Sequence, residues 1–208
     1  MGIITNRRRV YGGGEKNYTL VDWVKNTYAN SAIVTNVDVV DSNNYKFVGI
    51  VTPIRYDRQY TPFFVSSAGT DANNKRWRFG WNGASNHFSI LTNSALFGAN
   101  IAPTITLVGI KTSFELTYQK AIINRTTYTT IVNSTGTFLP NGKIILAENT
   151  SNSGIMKWHE LDVYLDGVLI SKLRPCVTKD GIYTMVDVLT DYICPTIGSG
   201  LWTGGFDN

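Results

Sequence analysis

Residues 158–205 place the tightest limit on what this chain can become. Leu161, Val163 and Leu165 alternate with Glu160, Asp162, Tyr164 and Asp166. An apolar side chain at every second position builds a strand with one buried face, whereas a helix would scatter the same residues around its circumference. Asp166-Gly167 follows, a pair that tolerates two successive positive φ angles and so predicts a type I′ hairpin. Val168, Ile170 and Leu173 then carry the return strand. Pro175 has no backbone donor, so the pairing is expected to end there. A second turn is expected at Asp180-Gly181. The stretch closes on Gly198, Gly200, Gly204 and Gly205 around Trp202, which reads as an apolar plug between flexible glycine hinges.

The same grammar runs through the preceding residues. Phe47, Gly49 and Val51 interleave with Val48, Ile50 and Thr52, and a strand apolar on both faces belongs in the middle of a sheet. Further strands are expected over Thr61–Ser67, Arg76–Trp81 and His87–Thr92, then Ile105–Lys111, Ser113–Tyr118 and Lys120–Asn124. Thr127–Val132, Gly136–Leu139 and Lys143–Glu148 complete the series, each bounded by Gly, Asn, Asp or Pro. Many short strands at regular spacing imply an all-β sandwich, and 208 residues suit one such domain.

Composition narrows the function classes. Charged residues make up 16% and hydrophobic residues 43%, enough for a sizeable core and low in charge for a globular chain. A net charge of +4 owes much to Arg7, Arg8 and Arg9, which is not the contiguous basic stripe of a duplex-binding protein. No nucleic-acid partner is expected. The chain has no apolar run of the roughly 18 residues a membrane helix needs, and Met1-Gly2-Ile3-Ile4 runs at once into polar residues. Neither membrane insertion nor export is expected, so synthesis and assembly are placed in a cytoplasm. Cys176 and Cys194 are the only cysteines, too few for a disulfide framework; two buried thiols are expected, with a single bridge as the alternative.

Both ends of the 18–205 region carry an ordered set of motifs. Near its start stand Tyr18, Val21, Trp23 and Val24, then Ala32-Ile33-Val34-Thr35-Asn36. Near its end come Asp166-Gly167, Pro175-Cys176, Gly181-Ile182-Tyr183, Asp187, Tyr192 and Gly198-Ser199-Gly200-Leu201-Trp202-Thr203-Gly204. In this order they resemble phage-encoded LamG-like (concanavalin A-type) jelly-roll domains. The match departs from that pattern at Thr184-Met185-Val186, and the usual Asp-Thr-Gly of the second-strand motif is absent. The resemblance implies a LamG-like antiparallel jelly roll over 18–208. It also implies a non-enzymatic structural protein of a bacteriophage particle, at a head-fibre, decoration or tail-fibre position. Location in the virion, contacts with other virion proteins and homo-oligomerisation go with that role. The same fold would serve a module that recognises host-surface glycans.

Residues 1–17 differ from the rest. Ile3, Ile4, Val10 and Tyr11 surround Arg7-Arg8-Arg9, and Gly12-Gly13-Gly14 separates them from the domain. Such a segment has no core of its own. It reads either as a disordered tail or, as the clean glycine separation favours, as an attachment arm, with apolar anchors, arginines that meet carboxylates and a glycine hinge. For glycans, the Arg55, Tyr56, Arg58 and Tyr60 cluster after Pro53 is the best placed. Tyr11, Tyr128 and Trp202 are further stacking candidates, as are Trp77 and Trp81, although their alternation with Arg76 and Arg78 favours a core face for those two.

Catalysis finds little to work with. Glu160 and Asp162 resemble the start of a glycosidase carboxylate motif, but Tyr164 or Leu165 occupies the place of the second catalytic acid. His87 and His159 stand apart from any serine-nucleophile elbow. No phosphate-binding loop or metal-ligand spacing occurs, so no cofactor and no metal are expected.

Overall fold

A computed structural model of the chain describes residues 16–27, 31–38, 40, 44–55, 60–66, 78–82, 87–91, 98–101, 107–117, 120–129, 143–147 and 155–207. For 60–66, 78–82, 87–91, 98–101 and 128–129 it describes the backbone alone. Every regular element among these residues is a strand. In chain order the first nine are β1 (Tyr18–Leu20), β2 (Trp23–Asn26), β3 (Ser31–Asp38), β4 (Tyr45–Arg55), β5 (Tyr60–Ser66), β6 (Arg78–Asn82), β7 (His87–Leu91), β8 (Gly98–Ile101) and β9 (Thr112–Thr117). The second nine are β10 (Lys120–Ile123), β11 (Thr126–Thr129), β12 (Lys143–Leu146), β13 (Ile155–Leu165), β14 (Val168–Thr178), β15 (Tyr183–Asp187), β16 (Tyr192–Ile193), β17 (Thr196–Gly198) and β18 (Trp202–Gly205).

They form two antiparallel sheets. The first runs β11-β10-β9-β4-β13-β14-β15-β16 with β1, β2 and β18 attached, and the second runs β17-β3-β12-β5-β6-β7-β8. The expected alternation decides which side chains lie between them. Phe47 and Val51 of β4, Leu161 and Val163 of β13 and Leu173 of β14 are buried with Ile33 and Val37 of β3 and Ile144 and Leu146 of β12. One apolar core therefore belongs to both sheets, the arrangement of a β-sandwich. Trp158, fully buried, meets Phe114 edge-on with centroids 6.4 Å apart. β4 lies between β9 and β13, as its two apolar faces require.

The first sheet forks. β13 and β14 pair only as far as Leu161↔Leu173. Beyond that point β2 takes the free edge of β13, through Lys157↔Lys25 and Trp158↔Val24, and β1 takes that of β14, through Leu20↔Cys176. β18 then adds to β2.

The fork explains a departure from expectation. β14 does not stop at Pro175 but runs on to Thr178, with Pro175 opposite Met185. The Pro175 carbonyl accepts from Val21 N at 3.0 Å, and in an extended strand a residue's nitrogen and carbonyl face the same neighbour. The missing donor thus falls where β14 changes partner from β13 to β1, and the β15 ladder loses nothing.

The turns follow their sequences. Asp166 and Gly167 both have positive φ, 51° and 79°, and close the type I′ hairpin between β13 and β14. At Asp180-Gly181 only Gly181 is left-handed, and Gly181 N donates to Thr178 O, a three-residue loop ending in a glycine bulge. The Asn124-Arg125 turn between β10 and β11 also takes two positive φ angles, without any glycine.

Three more expectations change. The described part of Ile105–Lys111 is a turn: Gly109 has φ 77°, Gly109 N donates to Pro53 O, and Ile110 N donates to Leu107 O. Its apolar run does not enter the sheet there, and Val108 and Ile110 are exposed. The glycines after Trp202 are not hinges. Gly204 and Gly205 are paired residues of β18, and a Cβ on Gly204 would stand 2.8 Å from the Trp23 carbonyl and collide with the Cδ1–Cε1 edge of the Tyr183 ring. Trp202 is indeed a plug, 8% exposed in the core, but it is held in a ladder. Finally, Cys176 and Cys194 are free and buried. Cys176 lies opposite Thr184 on β15, while Cys194 N bonds Met185 O on that strand's far side. Two strand spacings, about 10 Å, exceed disulfide reach.

The expected strands over Gly136–Leu139 and at the ends of several others lie outside the described residues, as do Arg76 and Trp77 of the Arg76–Trp81 strand.

Candidate functional site

Of the residues singled out for attachment, Ile3, Ile4, Arg7, Arg8, Arg9, Val10, Tyr11 and the glycines Gly12, Gly13 and Gly14 lie outside the described residues, and so do Tyr56 and Arg58. Tyr60 opens β5, with its backbone alone described. Arg55 ends β4, exposed, opposite Ile155. The two residues that end the arm segment, Lys16 and Asn17, are fastened to the sandwich. Lys16 Nζ meets Asp191 Oδ1 at 2.6 Å, the Tyr18 hydroxyl donates to the same oxygen at 2.5 Å, and Lys179 N donates to Asn17 O. Lys16 and then Tyr18 hold the Asp191 carboxyl below its ordinary range, while burial pushes the Tyr18 phenol up.

Among the described residues the richest surface constellation lies elsewhere, on the outer face of the first sheet, where β13 carries one extra residue. Trp158 pairs with Val51 but Glu160 with Ile50, so His159 bulges out of register with β4. A bulge re-aims its side chains, and here the imidazole reaches both neighbours. Its Nδ1 lies 3.2 Å from Asp22 O and its Nε2 3.0 Å from Thr52 Oγ1. A carbonyl only accepts, so Nδ1 carries the proton and Nε2 receives the Thr52 hydroxyl. Burial, then the nearby Lys111, lowers the His159 pKa from its ordinary 6.5, against an opposing pull from Asp207.

Register places the surrounding groups. Thr52 is opposite Lys157, Lys157 opposite Lys25, and Lys25 opposite Thr203. On the other side of Thr52, Lys111 continues β9 one residue past the Val51↔Thr112 pair. One transverse row thus reads Lys111, Thr52, Lys157, Lys25, Thr203. Beside it run His159, Trp23 and Gly205, since Trp23 pairs with Gly205 and follows the Trp158↔Val24 pair. Trp23 is half-buried and its ring passes against Gly205, where a Cβ would come within 3.1 Å of Cζ2. Lys157 Nζ stands 4.0 Å from the Trp23 ring centroid, a cation–π contact. The carboxylates around this face are engaged. Asp207 takes Lys111 at 3.0 Å and is held below its ordinary range by it. Asp22 Oδ2 accepts Asp207 N.

Glu160 and Asp162, the strand carboxylates, meet Arg174 of β14, Asp162 at 2.7 Å and Glu160 at 3.8 Å. Trp202, among the stacking candidates, is core. Among the described residues no three His, Cys, Asp or Glu side chains are grouped to hold a metal ion, and no helix is long and apolar enough to cross a membrane. Alternation alone would put Trp23, Lys25 and Lys157 on a surface; that they share one patch with His159 and Lys111 depends on register and was not legible. No protein-family model matches the chain and no curated protein matches it.

Proposed function

We propose that the protein is a non-enzymatic structural component of a bacteriophage particle, a head-fibre, decoration or tail-fibre subunit, attached by its N-terminal arm and displaying a LamG-like jelly-roll sandwich. Two features support the reading: the ordered sequence resemblance at both ends of the domain, and two antiparallel sheets that share one core. The observation that carries the arm's role is the fastening of Lys16, Asn17 and Tyr18. β1 lies along β14 from Tyr18↔Thr178 to Leu20↔Cys176, so the arm departs from a strand paired into the sheet. Such a root suits a segment that bears a load, and the glycines ahead of it would free the domain's orientation.

The test is assembly. Mass spectrometry of purified particles should find the protein, and deletion of residues 2–14 should release it while the isolated domain keeps its melting temperature. Normal incorporation of the truncated protein would move the anchor onto the sandwich, and absence from particles would end the assignment. Copies are proposed to form a closed homo-oligomer, which light scattering on the intact chain would reveal. Recognition of host-surface glycans is a second role on the same fold, favoured by the half-buried Trp23 beside Lys25 and Lys157.

A further inference from the structure

We infer that Trp23, Lys25, Lys157 and Lys111 form a binding site for an acidic sugar, one bearing a carboxylate. The inference deepens the glycan-recognition role and does not depend on the arm.

The first reason is a charge arrangement that the fold alone does not favour. Lys157 and Lys25 are direct cross-strand partners on the outer face, and like charges so placed repel. Lys111 stands on the same row, about two strand spacings, or roughly 10 Å, from Lys157, with Asp207 as its counter-ion. Asp207 offsets Lys111 and Glu160 leans to Arg174, while Asp22 accepts Asp207 N and keeps its charge. Lys157 turns instead to the Trp23 ring. An anion between Lys157 and Lys25 would meet both ammonium groups at once.

The second reason is the ring. A surface tryptophan in a sheet needs room beside it, and Gly205 supplies that room: its missing side chain is what lets the indole pass over β18. An aromatic face offers apolar area to the C–H side of a pyranose. The hydroxyl of Thr203, exposed, lies in the same row as the lysines. A flat apolar surface flanked by cations and a hydroxyl matches a ring with one C–H face, hydroxyls around its rim and a carboxylate at one edge. The flexible Lys157 stem allows its ammonium to leave the indole and follow the carboxylate. His159 is engaged through both ring nitrogens, with Asp22 O and with Thr52 Oγ1.

The experiment titrates the full-length protein with two acidic probes, 3′-sialyllactose and a hexuronate tetramer, against lactose and a neutral glucan tetramer. Binding is read by ligand-observed NMR and by the Trp23 indole N–H resonance. Acidic probes should bind and shift that resonance, and neutral ones should bind at least tenfold more weakly, about the effect of one lost strong contact. Trp23→Ala should reduce acidic-sugar affinity about tenfold or more, and Trp23→Phe should recover part of it. Lys25→Gln with Lys157→Gln, both on the surface, should leave the melting temperature unchanged and remove the preference for acid. Raising salt from about 50 to about 500 mM should weaken binding of the acidic probes alone. Equal binding of neutral and acidic sugars overturns the inference, as does full affinity in Trp23→Ala. So does tighter binding of a single-stranded oligonucleotide, or no acidic-sugar binding up to about 10 mM. Failure here leaves the particle assignment standing, because that rests on incorporation through the arm.

Discussion

Gly49 offers a sharp test of how the sandwich is packed. It sits mid-way along β4, between Phe47 and Val51 on the buried face. A methyl group there would stand 2.6 Å from Phe114 Cζ and 2.8 Å from the Glu160 carbonyl oxygen. The Phe114 ring has little freedom to retreat, since it already meets the buried Trp158 edge-on. The carbonyl belongs to the β13 bulge, which the His159 contacts hold in place. Overpacking of this kind costs about 1–3 kcal/mol, and alanine recovers about 0.4–1 kcal/mol by restricting the unfolded chain. At the middle of both ranges, about 2 less about 0.7, Gly49→Ala should lose about 1.3 kcal/mol. For a domain of this size that is a fall of about 3–5 °C in melting temperature, measurable by circular dichroism or scanning calorimetry. Phe114→Leu removes the two ring atoms in conflict but not the carbonyl. In a double-mutant cycle the pair should couple favourably by about 0.5–1.5 kcal/mol. A Gly49→Ala protein as stable as the parent, or strict additivity with Phe114→Leu, would refute the claim that the ring fills the space glycine leaves.

The His159 pKa lies below 6.5 in the fold, so the unfolded chain binds a proton first as pH falls. Stability present above 6.5 should decline below it, and urea unfolding at about pH 7.5 and about pH 5 should show a smaller loss in His159→Gln. Cys176 and Cys194, both pushed up to about 12 by burial, should resist a thiol reagent at about pH 8 until the protein unfolds; fast labelling of the native protein would contradict their burial. Asp187 is fully buried and accepts from Asn36 Nδ2, Lys172 N and Leu189 N. Asp187→Asn turns one acceptor into a donor facing donors and should cost about 1–3 kcal/mol, and an unchanged melting temperature would count against that network.

What the sequence determined by itself is local. Alternation at Leu161, Val163 and Leu165 requires a strand with a buried face whatever lies opposite. Asp166-Gly167 requires its turn because few other pairs accept two left-handed residues. Tertiary structure decided whatever depends on a neighbour. Pro175 reads as a stop in one dimension, yet it is harmless where β14 exchanges β13 for β1. Gly204 reads as a hinge, but it is a strand residue made necessary by Tyr183 and the Trp23 carbonyl. The candidate site shows the difference most clearly. Lys25, Lys111 and Lys157 are far apart along the chain, and only pairing puts them in one row. Moving a strand by one residue would send its side chains to the opposite face. Register is set jointly by the core, the turns and the extra residue at His159, and no segment's own composition records it.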